Sequence, residues 1–252
     1  MKKIAIVTGA SSGLGRAYAE TILSTRKDLD EVWIIARRTE RLLAIKEKFA
    51  RARPLTMDLT NLDSFAELKS LLETEKPEVR ILVNCAGSAA NGSFANTSEK
   101  QILSIIDVNI IGVTMMLKTV VPFMSRGSFA IDVSSITGLI PTANLTVYSA
   151  SKSYVQFITR GLREEYRKKG INFLSVHPGN MDTEMNRKDN PNHSKIVKML
   201  PYTPVSKVVK VSLRRAAHGK AMYTPGAFYK YFRFLTKVLP WSLLIPVFKV
   251  NG

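Results

Sequence analysis

Ile4-Ala5-Ile6-Val7-Thr8-Gly9-Ala10-Ser11-Ser12-Gly13-Leu14-Gly15 is the stretch that organises this 252-residue chain. Its first four residues form an apolar run that stops at Thr8-Gly9. That run is too short for the hydrophobic region of a secretory signal, and it reads as a buried strand. Glycines follow at 9, 13 and 15, and 13–25 has the look of a helix. A strand, a glycine turn and a helix in that order suit an anion. The glycines let backbone approach a pyrophosphate, and the helix N-terminus presents N–H groups and a positive dipole end. The spacing is Gly-x-x-x-Gly-x-Gly, not the commoner Gly-x-Gly-x-x-Gly. Alone, the loop also reads as a tight strand-to-helix turn.

The same alternation continues downstream. Short β-rich runs at 31–36, 54–57, 79–83, 128–133 and 171–176 are separated by helical stretches at 40–50, 64–75, 98–121 and 146–169. A further helix at 205–218 and a short strand at 221–223 complete the pattern. Strands alternating with helices predict right-handed crossovers and a parallel sheet. The strands are nearly continuous apolar runs, as expected where helices cover both faces. With 45% apolar and 23% charged residues the composition is that of an ordinary globular chain, which argues against disorder and disulfide scaffolds. The single cysteine, Cys85, cannot form an internal disulfide, which fits a reducing, cytoplasmic compartment. His177, His193 and His218 are far apart and lack cysteine partners, so no metal site is expected.

The second strand ends Ile34-Ile35-Ala36-Arg37-Arg38. An NAD-preferring site places an acid here to hold the ribose 2′-hydroxyl. Ala36 cannot accept that bond, whereas Arg37 and Arg38 offer guanidinium forks to a 2′-phosphate. The expected cofactor is NADP(H) in preference to NAD(H). Two solvated arginines opening a helix would look the same.

Tyr148 and Lys152 stand four residues apart early in a long helical stretch, so they share a face. A phenol titrates near 10. A neighbouring ammonium stabilises the phenolate and brings the group toward working pH, where acid–base catalysis is efficient. Ser135 follows a strand, at the sheet edge where ligands bind in open parallel sheets. Its hydroxyl can donate to a carbonyl oxygen gaining negative charge. Asn109 lies inside the 98–121 helical stretch, where it can break the helix locally and hold a proton-relaying water, or sit as a buried, self-satisfied amide.

With these residues in view, the chain resembles the short-chain dehydrogenase/reductase family. The motifs, in the family's order over residues 1–185, are TGASSGLG at 8–15, Asp58 in Met57-Asp58-Leu59-Thr60, Asn84-Cys85-Ala86-Gly87, Asn109, Ser135, Tyr148 with Lys152, and Pro178-Gly179 with Thr183. The resemblance implies an α/β fold, a doubly wound Rossmann sheet of seven parallel strands with helices on both faces. It implies an NAD(P)-dependent oxidoreductase acting on CH–OH and C=O groups, with Asn109, Ser135, Tyr148 and Lys152 as a catalytic quartet. It also implies cofactor contacts from Gly9, Ser11, Ser12, Gly13, Leu14, Gly15, Arg37, Arg38, Asp58, Leu59, Asn84, Ala86, Gly87, Asn109, Tyr148, Lys152, Pro178, Gly179 and Thr183. Of these, Asp58 and a neighbour would meet the adenine, Lys152 the nicotinamide ribose, and the Pro178 to Thr183 segment the nicotinamide amide. The family often carries a second asparagine where this chain has Cys85, which reads as a small buried replacement or as a redox-sensing thiol.

A single domain is expected over 1–226, with a substrate lid near 182–200 and an appended segment at 227–252. Ser135, Tyr148, Met181 and Met185 are the candidate substrate contacts, although methionines there also serve as plain packing. The net charge of +17 is concentrated late: residues 185–252 hold thirteen Lys and Arg against one acid, Asp189. Charge confined to one quarter of the chain points to one surface with its own partner, not to generic nucleic-acid binding. The apolar run 238–248 contains Pro240 and Pro246 and is too short for a membrane span, which needs about 20 residues. Phe228, Tyr231, Phe232, Leu235, Val238 and Leu239 recur at helical spacing with Lys230, Arg233 and Lys237 largely on another face. That suits an amphipathic segment on an anionic membrane surface, or a helix packed on the body or another subunit. The expected function is an NADPH-dependent carbonyl reductase or alcohol dehydrogenase, biased toward apolar or lipid-like ketones and secondary alcohols, cytoplasmic and peripherally membrane-associated. The other reading is a cofactor-binding sensor or membrane-associated binding protein on the same scaffold. The family often assembles as homodimers or homotetramers.

Overall fold

The computed structural model describes residues 1–184, 186 and 200–246. Seven parallel strands make one sheet: β1 (Lys3–Thr8), β2 (Glu31–Ala36), β3 (Ala52–Thr56), β4 (Glu78–Asn84), β5 (Phe129–Val133), β6 (Asn172–Val176) and β7 (Met222–Tyr223). Their spatial order is β3-β2-β1-β4-β5-β6-β7. The chain runs outward from β1 to one edge and then restarts from β4 toward the other. A crevice opens where the order reverses, between β1 and β4, and ligands of open α/β sheets bind there, beyond the carboxyl ends of the strands.

Side chains alternate across each strand, so the two faces carry separate apolar layers. Ala5, Val7, Val32, Ile34, Ile81, Val83, Ile131 and Val176 face one way. Helix α1 (Gly13–Thr25) covers them with Leu14, Tyr18, Ala19, Ile22 and Leu23, beside α2 (Thr39–Lys48) and α7 (Val205–Ala217). Ile4, Ile6, Trp33, Ile35, Val79, Leu82, Ala130 and Phe173 face the other way. There α3 (Asp63–Glu75), α5 (Val113–Val120) and α6 (Thr146–Glu165) complete the layer. Truncating one such residue to alanine would cost about 2–5 kcal/mol. Tyr18 and Ser212 hydroxyls hydrogen bond at 2.6 Å and tie α1 to α7 inside the first layer.

The expected elements are present, with physical reasons for the differences. The 98–121 stretch is not one uniform helix. Helix α4 (Glu99–Ile106), capped by reciprocal Ser98 and Gln101 bonds, passes through a widened π-helical turn at Asp107–Gly112 into α5. The run Glu99–Phe123 is long and apolar enough to cross a membrane, but half of its most apolar window is buried in the fold. Helix α6 stops at Glu165, ahead of 169, because the chain turns through Gly170 at φ +72° into β6. After β7 come α8 (Ala227–Val238) and the short α9 (Trp241–Leu244), which rest on the body through Phe232 and Leu244 against Ile140, Ile136 and Leu139. Most of the expected lid at 182–200 lies outside the described residues, as does 247–252 of the C-terminal segment.

Candidate active site

The crevice is a continuous cleft of about 1120 Å³. At one end stands the glycine turn. A Cβ on Gly15 would lie 2.2 Å from the Gly9 carbonyl oxygen, so only glycine lets the turn close. Ser12 precedes α1 in extended backbone, and its side chain makes no cap to the helix. The helix N-terminus therefore faces the cleft with its amides uncapped by that side chain, which is the arrangement an anion requires. The Ala10 N–H donates to the Ile35 carbonyl and fixes the turn to β2.

Arg38 reaches back over this turn. Its Nε and Nη2 donate to Ser11 Oγ at 3.2 and 3.0 Å, and Nη2 donates to Ser12 Oγ at 2.9 Å. Arg37 lines the cleft edge but is exposed. Glu184 accepts from Arg38 Nη1 at 3.1 Å and also pairs with Arg41. The two guanidiniums hold the Glu184 carboxyl below the usual carboxylate range. Asp58 and Leu59 line the next stretch of wall, and Asp58 Oδ1 is oriented by the Thr60 N–H and hydroxyl, both at 3.0 Å.

At the far end Ser135, Tyr148 and Lys152 come together. Ser135 follows β5 and accepts bonds from the Thr137 N–H and hydroxyl at 3.2 and 3.0 Å. The Tyr148 phenol stands close enough to this hydroxyl to be influenced by it. Lys152, one turn further along α6, donates from Nζ to the Val133 carbonyl at 3.0 Å and stands 5.7 Å from the Tyr148 ring centre. The Ser134 hydroxyl donates to the Lys152 carbonyl at 2.6 Å, so the end of β5 and α6 are held together at this point. Burial pushes the Lys152 ammonium down to about 8. Burial also pushes the Tyr148 phenol up, outweighing the nearby Ser135 hydroxyl, which favours its ionised form. The expected lowering of the phenol by Lys152 is thus reversed in the protein by itself, because desolvation of the ring oxygen is the larger effect.

Two predicted residues stand behind the wall instead of in it. Asn109 is fully buried in the π-helical turn. Its Oδ1 accepts from the Ser88 N–H at 2.9 Å, and its Nδ2 donates to the Ser88 carbonyl and to Ser151 Oγ at 2.9 and 3.0 Å. The side chain therefore clamps the segment after β4 to α6 and does not point a spare donor at the cleft. Asn84 is buried between strands and donates to Asp132 Oδ1 at 2.8 Å. Burial raises the Asp132 carboxyl to about 6. Ala86 and Gly87 line the cleft, as do Pro178, Gly179, Met181 and Thr183 on the opposite lip. Met185 lies outside the described residues. Cys85 also borders the cleft, but burial pushes its thiol up to about 12, which removes the depressed pKa that a redox-sensing thiol requires.

Sequence reasoning missed several residues here. His177 is completely buried: its Nδ1 pairs with the Ser135 carbonyl at 3.1 Å and its Nε2 with Ser175 Oγ at 2.7 Å. Burial pushes the imidazole down to about 4, so it is neutral and supports Ser135 from behind. Ile140, Leu145, Leu200 and Phe232 add apolar side chains to the cleft wall. Arg41 had a local signal, three residues beyond Arg38 on the next helix, while Glu184 had none.

The cleft residues fit a nicotinamide dinucleotide. The closed glycine turn and helix N-terminus suit a pyrophosphate, Asp58 and Leu59 line the wall on that side, and the Tyr148 cluster stands at the other end. The family model described as short chain dehydrogenase matches residues 3–194. An uncharacterized oxidoreductase of Staphylococcus aureus is 31% identical over 220 residues, covering 86% of this chain and 93% of that protein. A short-chain dehydrogenase from Streptomyces avermitilis superposes with a TM-score of 0.79 at 26% identity, over 96% of this chain and 97% of that one. A Burkholderia cenocepacia short chain dehydrogenase, solved in complex with NADP, shares the fold with a TM-score of 0.76 at 24% identity, over 88% and 95% of the two chains. The chain belongs to the short-chain dehydrogenase/reductase family and is an NAD(P)-dependent short-chain oxidoreductase.

Proposed function

We propose that the protein is an NADPH-dependent carbonyl reductase, interconverting a ketone and a secondary alcohol, with an apolar or lipid-like substrate. The observation that carries this reading is the convergence of Ser135, Tyr148 and Lys152 on one cleft, with Lys152 Nζ 5.7 Å from the Tyr148 ring centre and a closed glycine turn at the other end. Gly9, Ser11, Ser12, Gly13, Leu14 and Gly15 would hold the pyrophosphate, Asp58 and Leu59 the adenosine, and Ala86, Gly87, Pro178, Gly179 and Thr183 the nicotinamide half. Arg38 would take the 2′-phosphate, since its guanidinium already lies over Ser11 and Ser12; Arg37 stands by at the edge. The NADP bound by the Burkholderia relative supports the same preference.

When bound, NADPH supplies the hydride. The chain's own residues handle the proton and the charge. Tyr148, whose phenol burial keeps protonated at neutral pH, gives its proton to the developing alkoxide. Ser135 donates a hydrogen bond to the same oxygen. Lys152 remains largely ammonium below pH 8 and balances the phenolate left behind. Asn109 and Asn84 act by position, holding α6 and the end of β4 in place. Ile140, Leu145, Met181 and Phe232 would exclude water and favour an apolar ketone.

A small-molecule carbonyl is the direct partner. Leu103, Ile111 and Phe157, exposed on α4, the π turn and α6, support a homodimer or homotetramer through these helices. The location this reading implies is cytoplasmic with peripheral membrane attachment. The test is NADPH oxidation against carbonyls ranging from small diketones to steroid ketones, run beside Tyr148→Phe. Loss of about 10²–10⁴-fold in turnover with NADPH binding retained is expected. Turnover unchanged in Tyr148→Phe would remove the mechanism, and tight NADPH binding with no turnover on any carbonyl would favour a binding protein.

A further inference from the structure

Helix α8 has three longitudinal faces. At about 100° per residue, Tyr229 and Phe232 point inward, and both are buried. Tyr229 donates to the Pro201 carbonyl at 2.8 Å and accepts from the Asn180 N–H at 3.1 Å, while Phe232 lines the cleft. Ala227, Tyr231, Phe234 and Val238 fall within an arc of about 60° on the outside. Lys230, Arg233 and Lys237 occupy a second arc of about the same width beside it. The apolar outer stripe stays exposed: Tyr231 61%, Phe234 58% and Val238 55%, continued by Trp241 52% and Leu243 61% on α9.

A surface helix of a monomeric globular protein normally keeps its outer side polar. A stripe of Tyr, Phe and Trp edged by Lys instead matches the chemistry of a lipid–water interface. Aromatic rings sit at headgroup level, and basic side chains pair with anionic headgroups. No acid on α8 or α9 opposes that charge, since 227–244 contains no Asp or Glu.

We propose that the outer face of α8 and α9 docks on an anionic lipid bilayer, with Tyr231, Phe234, Val238, Trp241 and Leu243 inserted and Lys230 and Lys237 on the headgroups. The same helix walls the cleft through Phe232 on its inner face, so docking places the apolar end of the active site one helix away from the membrane. The substrate is then a carbonyl dissolved in the bilayer, collected without crossing bulk water. This last step rests on the reductase reading; the docking does not.

The experiment is sedimentation of the full chain with vesicles of phosphatidylcholine alone and of phosphatidylcholine with phosphatidylglycerol. Strong binding to the anionic vesicles, released by salt, is expected. Lys230→Glu/Lys237→Glu should weaken it by about tenfold or more, and so should Phe234→Ser/Trp241→Ser, each with NADPH affinity unchanged as a check of folding. No binding to anionic vesicles, or binding that ignores both variants, overturns the proposal. So does dissociation of a dimer by Phe234→Ser/Trp241→Ser, which would make the stripe a contact between two copies. Reduction of a water-soluble carbonyl without vesicles is measured in parallel. Lost docking with intact turnover sinks only the membrane step, while intact docking with no turnover sinks the reductase.

Discussion

Arg38 Nη1 lies 3.1 Å from Glu184 Oε2, joining the end of β2 to the segment that follows β6 across the mouth of the cleft. The same guanidinium covers Ser11 and Ser12, and Glu184 also meets Arg41. A carboxylate thus sits where two guanidiniums converge, which is a position suited to a phosphate. Both partners are substantially exposed, so solvent screens the pair and an incoming phosphate can displace it.

Arg38→Leu is therefore expected to weaken NADPH binding by about tenfold or more while leaving NADH binding nearly unchanged. Glu184→Gln should have the opposite sign for NADPH, tightening it by at most about fivefold, because the resident anion is gone. Fluorescence titration with each cofactor checks both. Equal losses for NADPH and NADH in Arg38→Leu would mean that Arg38 only supports the glycine turn through its serines.

Lys152 predicts a pH limb. In the proposed mechanism its ammonium balances the Tyr148 phenolate, and burial brings it down to about 8. Tyr148 is raised by burial and stays a proton donor over that range. Carbonyl reduction, followed as kcat/KM of the free enzyme, should be level from weakly acid to neutral pH and fall as pH rises through about 8. Lys152→Arg keeps the charge and should move the limb upward, whereas Lys152→Met should lower the plateau. A limb that stays near 8 in Lys152→Arg would assign it to another group.

Much of this site was readable because its signals are local. Tyr148 and Lys152 announce themselves by a four-residue spacing on one helix, and Ser135 by following a strand. β1, β2, β4, β5 and β6 were readable from apolar runs that the two helical layers bury, whereas β3 and β7 are short and half-buried and were readable only from the alternation. Local signals do not say which way a side chain turns at the end of a strand. Arg37 and Arg38 looked equivalent, yet Arg38 folds over the glycine turn and Arg37 faces out. Asn109 was readable as a break in its helix, but not as a clamp on Ser88 and Ser151. Contacts between distant segments left no trace in the sequence: Glu184 with Arg41, His177 with Ser135, and Phe232 with Ile140.

His177 links stability to acid. An unfolded histidine titrates near 6.5, while the buried imidazole does so at about 4. The folded-state value is depressed, so its contribution is full above about 6.5 and is lost as pH falls toward 4. The span corresponds to about 3 kcal/mol. Urea unfolding at several pH values should show this loss in the wild type, and His177→Asn should flatten it. If the two proteins lose stability in parallel between pH 6.5 and 4, the histidine is not responsible. Because Nδ1 bonds the Ser135 carbonyl, His177→Asn should also lower kcat more than it raises KM.

Gly179 and Tyr229 give a test of how the C-terminal helix is held to the site. A Cβ on Gly179 would stand 2.1 Å from the Tyr229 ring, and that ring is buried and hydrogen-bonded at its hydroxyl to Pro201 and Asn180. It has no room to yield. Gly179→Ala should therefore push α8 away from the cleft and cost about 1–3 kcal/mol, as overpacking does. Tyr229→Ala alone should cost about 3–5 kcal/mol by leaving a cavity. In the double variant the new methyl occupies space that the ring has left, so the two losses should fall short of adding. Additive losses in urea unfolding would mean that the ring and Gly179 are not in contact in solution. The Phe232 wall moves with the same helix, so Gly179→Ala should also raise KM for an apolar ketone while leaving NADPH affinity less affected.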